Sequence, residues 1–196
     1  MAPEISVVIP VMDEEGNVAA LAREIAVAFA DSPFEMIFVD DASCDGTRAA
    51  LVGLKAVYPS LRVIAHQRNA GQSRALRSGV QAARGPVVVT LDGDGQNDPA
   101  DAPKLVERLR SGGAGLGLVG GLRLRRRDSW SKRLASRIGN GVRRRILRDD
   151  SIDTGCGLKV MPREAFLRLP YFDHMHRFLP ALRPSRFTRA GRKRCM

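Results

Sequence analysis

Val87-Val88-Val89-Thr90-Leu91-Asp92-Gly93-Asp94-Gly95-Gln96 runs four apolar or β-branched residues and a leucine straight into two carboxylates spaced i, i+2. A short run of this kind reads as a buried strand. In an open α/β sheet such a strand delivers the residues after it to the carboxyl edge, where these sheets bind ligands. Two hard oxygen donors with an amide close behind suit Mg²⁺ or Mn²⁺, and such an ion takes phosphate oxygens as further ligands. The stretch therefore points to an enzyme acting on a nucleotide-linked substrate.

Working outward, similar runs recur. Ile5 to Ile9, ended by Pro10, reads as a first strand, Phe34 to Val39 as a second, Leu61 to Ala65 as a third and Leu116 to Gly121 as a fifth. Between them lie helical patterns: one capped by Asn17, one capped by Ser43 or Asp45, one over Ala70–Ala83, and one opened by Asp98-Pro99 and stopped by Gly112-Gly113. Alternating strands and helices predict an α/β fold, a mostly parallel sheet with helices on both faces. Farther on, Ile152 to Val160 reads as a turn plus strand, and Pro162 opens a short helix.

Parallel strands place their carboxyl ends on one edge. That edge collects Pro10-Val11-Met12-Asp13-Glu14, Asp40-Asp41, Gln67-Arg68-Asn69 and Asp92-Gly93-Asp94. One acidic strand end is unremarkable, since Asp commonly starts a turn or caps a helix. Three acidic ends converging with a basic one are harder to attribute to turns.

Charge divides the chain. Residues 1–120 hold 11 Lys and Arg against 15 Asp and Glu, a net −4, whereas residues 121–196 hold 21 against 6, a net +15. The basic part should seek phosphates, in nucleic acid or on a membrane surface. Aromatics at 5% argue against a single-strand nucleic-acid reader built on stacking. A nucleic-acid module would also leave the first 100 residues unexplained, so no nucleic-acid partner is expected. Three cysteines without metal spacing read as reduced thiols of a cytosolic protein. No signal-peptide pattern and no run of about 18 apolar residues is present, so membrane contact is expected to be peripheral.

The ordered set Ile5-Ser6-Val7-Val8-Ile9-Pro10, Val39 to Thr47 (VDDASCDGT), Asn69 to Leu76 (NAGQSRAL) and Leu91 to Pro99 (LDGDGQNDP) resembles the family 2 glycosyltransferases. Within them it resembles the polyprenyl-phosphate branch typified by dolichyl-phosphate mannosyltransferase. The resemblance spans roughly residues 4–182 and implies the GT-A fold with inverting transfer from a UDP- or GDP-linked sugar. It implies one domain over 1–182, with 1–120 binding the nucleotide sugar and 121–182 forming the acceptor side. It assigns Pro10, Glu14, Asp41, Arg74 and Asp92 to the donor, Arg74 facing the diphosphate. It assigns Asp92, Asp94 and Gln96 to the metal, Asp94 and Gln96 directly. Asp13 stands where the family usually has Asn.

On the acceptor side, a lipid phosphate is already ionised and needs cations rather than a strong base. Arg123 and Arg137 resemble the two arginines that grip it in that branch. Asp153 resembles the general base of relatives with hydroxyl acceptors, or it shapes the turn. The resemblance thus implies a polyprenyl phosphate acceptor at the cytoplasmic, inner face of the membrane. A polysaccharide hydroxyl acceptor, or a truncated nucleotide-sugar binder without catalysis, stays open. Residues 183–196 resemble neither the family nor a folded element. They are expected to be a disordered basic tail on a truncated transferase whose activity is in question.

Overall fold

Residues 2–113, 117–123, 156–179 and 191–195 are described by the computed structural model. Its strands are β1 (Ile5–Val11), β2 (Phe34–Asp40), β3 (Leu61–Ala65), β4 (Val87–Thr90), β5 (Val119–Arg123), β6 (Lys159–Pro162) and β7 (Gly191–Cys195). They form one sheet in the order β3-β2-β1-β4-β6-β5-β7. β6 pairs antiparallel with both β4 and β5, and the other pairings are parallel. The helices are α1 (Glu15–Ala28), α2 (Thr47–Val57), α3 (Gln72–Ala82), α4 (Ala102–Ser111), α5 (Arg163–Leu167) and α6 (Met175–Phe178).

The central strands are mostly apolar because both faces are covered, and the buried exceptions Ser6 and Glu35 hydrogen-bond to each other. Val7 and Ile9 of β1, Met36 and Phe38 of β2 and Val89 of β4 pack with α1, α2 and α4. Their alternates Val8, Ile37, Val39 and Val88 pack with α3 and with Phe166, Met175 and Leu179. α3 lies close on the sheet at Gly79, where a Cβ would come within 2.3 Å of Val8 Cγ1.

Several boundaries differ from the periodicity. β1 continues through Pro10, which lies past the last β1–β4 pair, Val8 with Thr90. Its missing N–H therefore breaks no bond on that side. α1 begins at Glu15 rather than after Asn17, because the orphan N–H groups of Glu14 and Glu15 find acceptors across the fold. These are Thr47 Oγ1 at 2.8 Å and Asp45 Oδ2 at 3.2 Å. α3 begins two residues later than expected, at Gln72, since the N–H groups of Ala70 and Gly71 bond to Asp41. β5 begins at Val119, where register with Val160 of β6 sets its start.

Of the tail over 183–196, residues 191–195 pair in parallel with β5 as the edge strand β7, and the rest lies outside the described residues. Backbone pairing asks only for N–H and C=O groups, and the free edge of β5 offers them whatever the side chains are.

Candidate functional site

Loops following β1, β2, β3 and β4 meet at the carboxyl edge and enclose a cavity of about 400 Å³. Pro10, Glu14, Asp41, Asp92 and Asp94 line it, together with Asn69, Gly71 and Gln72. Arg74 does not. Its position on α3 turns it away from Gln72 and Ala75, and its guanidinium lies over the Tyr171 ring, 5.4 Å from the centroid. Gln96 sits on an exposed turn and joins the group through its backbone, donating its N–H to Asp94 Oδ1 at 3.0 Å. Arg123 is the last residue of β5, where only the backbone is described. Arg137 and Asp153 lie outside the described residues.

A cross-tie holds the loops after β1 and β2. Asp13 donates its N–H to Ser43 Oγ and accepts from the Cys44 N–H at 2.7 Å. Asp13 and Ala42 both take left-handed backbone, at φ 56° and 64°. Asp tolerates that region better than most residues, which accounts for a short polar side chain at position 13. Asp45 accepts from the hydroxyl and N–H of Thr47, and those bonds hold its carboxyl below the ordinary carboxylate range.

Asp41 is only 4% exposed, and three groups of the protein engage its carboxylate. Its Oδ1 accepts from the Ala70 N–H at 2.9 Å and meets His66 Nδ1 at 2.7 Å, and its Oδ2 accepts from the Gly71 N–H at 2.7 Å. Gly71, at φ 85°, makes the turn that brings its N–H there.

Asp92 is placed by two residues distant in sequence. Gln72 Nε2 donates to its Oδ1 at 2.9 Å. Gly157, in the lead-in to β6, lies so close that a Cβ there would be 2.1 Å from Asp92 Oδ2. Because β6 runs antiparallel, its amino-terminal approach reaches the edge where β4 ends. Thr90 Oγ1 of β4 donates to the Gly157 carbonyl at 2.7 Å and fixes that approach.

Among the described residues no cluster of three or more His, Cys, Asp or Glu side chains could hold a metal alone. Asp92 and Asp94 give two carboxylates on one cavity wall. That hard but incomplete donor set fits a Mg²⁺ or Mn²⁺ ion that completes its shell with phosphate oxygens and water.

His66, Gln72 and Gly157 were missed in the sequence. His66 could have been found, since it directly succeeds β3 on the edge already singled out. Gln72 and Gly157 carry no local signal.

Known proteins share this outline. The family model described as glycosyl transferase family 2 matches residues 6–169. Dodecaprenyl-phosphate galacturonate synthase of Rhizobium johnstonii is 36% identical over 184 residues, covering 91% of this chain and 53% of that protein. Undecaprenyl-phosphate 4-deoxy-4-formamido-L-arabinose transferase of Pectobacterium carotovorum is 37% identical over 182 residues, covering 91% and 54%. The chain thus spans about half the length of the curated relatives it matches. Among solved structures, glucosyl-3-phosphoglycerate synthase of Mycobacterium tuberculosis, in complex with Mn²⁺, UDP-glucose and phosphoglyceric acid, superposes with a TM-score of 0.69. It is 25% identical, covering 86% of this chain and 60% of that one.

Proposed function

The chain belongs to glycosyl transferase family 2, and on that premise we propose that it moves a sugar, with inversion, from a UDP- or GDP-linked donor to a polyprenyl phosphate. The observation that carries this is the convergence of Pro10, Glu14, Asp41, Asp92 and Asp94 on one cavity. Its volume of about 400 Å³ lies within the range of small-molecule sites. The names of the relatives from Rhizobium and Pectobacterium support the lipid-phosphate acceptor. The Mycobacterium complex supports a nucleotide-sugar donor and a divalent ion.

In this reading the loops bearing Glu14 and Asp41 seat the nucleoside, and Asp92 and Asp94 hold Mg²⁺ or Mn²⁺. When bound, the ion supplies Lewis-acid neutralisation of charge developing on the leaving nucleoside diphosphate. Gln72 orients Asp92 through its amide. Arg74 would have to leave the Tyr171 ring to face the diphosphate. The acceptor phosphate, being ionised, attacks without a strong base once cations orient it, a role we assign to Arg123 and Arg137. Asp153 then shapes the acceptor turn. No helix among the described residues is long and apolar enough to cross a membrane. Contact with the lipid is assigned to the basic region after residue 120, peripherally and at the inner face, because its net charge of +15 suits an anionic surface.

The test is calorimetric titration of UDP and GDP with and without Mn²⁺, then transfer assays with polyprenyl phosphate and with an oligosaccharide. Wild type should bind one nucleotide in a metal-dependent way, and Asp94→Asn should abolish the metal dependence and the transfer. Metal dependence surviving Asp94→Asn would refute the site.

A further inference from the structure

Asp41 is expected to contact the donor, but three of its acceptor positions are already taken within the protein. An ionised carboxylate only accepts, and it offers about four lone-pair positions. The Ala70 and Gly71 N–H groups fill two, and His66 Nδ1 meets a third at 2.7 Å. Nδ1 must therefore carry the hydrogen, which sets the tautomer: in the neutral ring Nε2 accepts from the Ser78 hydroxyl, 2.9 Å away on α3. The imidazole thus joins the end of β2, the end of β3 and the body of α3 into one hydrogen-bonded chain.

We propose that His66 is a positioning residue of the donor site. It holds the Asp41 carboxylate in the one orientation that lets Asp41 gather the Ala70-Gly71 turn and keep a lone pair for the cavity. The inference rests on the nucleotide-binding reading and names a residue which that reading does not use. The wall of the cavity formed by Asn69, Gly71 and Gln72 is set by His66 at second hand. Loss of the Nδ1–H donor lets the carboxylate rotate, loosening that wall and misplacing its remaining lone pair together. Loss of the Nε2–Ser78 contact alone leaves the carboxylate held and costs less.

Substitutions that mimic one ring nitrogen at a time separate these effects. The amide nitrogen of Asn falls near Nδ1 of a histidine, and that of Gln near Nε2. His66→Asn should keep the donor to Asp41, and His66→Gln should lose it. Both lose the ring and its packing, so their thermal stabilities should fall together. The readout is the affinity for UDP and for GDP, each with Mn²⁺, measured by calorimetry on the full chain. We expect His66→Gln to weaken binding at least about tenfold, about 1.4 kcal/mol, and His66→Asn to stay within about threefold of wild type. Ser78→Ala, a small change on a half-buried position, should weaken binding less than His66→Gln. It also provides a measurement if the His66 variants fold poorly. Equal affinities for His66→Asn and His66→Gln, or a larger loss for Ser78→Ala than for His66→Gln, would overturn the inference while leaving the nucleotide site in place. A wild-type chain that binds neither nucleotide would overturn both.

Discussion

Gly157→Ala tests how segments distant in sequence place the metal-facing carboxylate. The added methyl carbon would stand 2.1 Å from Asp92 Oδ2 and 2.2 Å from its Cγ. Carbon–oxygen contacts settle near about 3.3 Å, so the carboxylate must retreat by about 1 Å. Gly157 itself cannot move away freely, since its carbonyl accepts from Thr90 Oγ1 and β6 pairs with β4 two residues later. The retreat also strains the bond from Gln72 Nε2. Displacing a positioning group by about 1 Å costs about 100-fold in rate, equivalent to about 2.7 kcal/mol. The assay is Mn²⁺ titration of nucleotide binding, then transfer to polyprenyl phosphate. Gly120→Ala serves as control, because among the described residues nothing lies within 4 Å of a Cβ built there. The expected outcome is a loss of about 100-fold in transfer and a weaker Mn²⁺ response for Gly157→Ala, with Gly120→Ala near wild type. A Gly157→Ala variant within threefold of wild type in both would refute the placement of Asp92 by this glycine.

Burial alone would raise the Glu35 carboxyl, but Arg62, the Arg84 N–H and the Ser6 hydroxyl together hold it below its ordinary 4.5. A depressed folded value contributes stability above the unfolded pKa and loses it as pH falls through the folded one. Glu35→Gln should therefore cost about 1–3 kcal/mol at pH 7, with the difference shrinking below pH 4.5. Urea unfolding at several pH values checks it, and a difference that grows in acid would contradict it. Asp13→Asn keeps both the tolerance for φ 56° and an acceptor for the Cys44 N–H, so stability in the same unfolding assay should change by less than about 0.5 kcal/mol. A Cβ at Gly79 would press to 2.3 Å from Val8 Cγ1 and 3.0 Å from Val39 Cγ2. Gly79→Ala should consequently cost about 1–3 kcal/mol by overpacking, and a neutral result in denaturant unfolding would show that α3 can rise from the sheet.

The acidic strand ends were legible in the chain because their placement comes from a local rule. A short apolar run makes a strand, a helix returns the chain, and parallel strands must end on one edge. Glu14, Asp41, Asp92 and Asp94 need nothing more to be brought together. Helix starts were less legible, because caps came from other loops: Thr47 and Asp45 serve α1, and Asp41 delays α3. Arg74 shows the limit of motif spacing. Its neighbours Gln72 and Ala75 line the cavity, while the helical turn of about 100° per residue carries Arg74 to Tyr171.

By itself the sequence determined the α/β alternation, the two apolar faces of the central strands and the edge on which the carboxylates gather, since each depends on residues near one another in the chain. Only the tertiary structure decided how those carboxylates are held. Gly157 arrives beside Asp92 because one strand runs antiparallel, and His66 reaches Asp41 because β3 lies next to β2. Those contacts join residues far apart in sequence. Their geometry depends on register, on tautomer and on which face of a helix meets the sheet, and none of these leaves a repeating pattern in the amino acids.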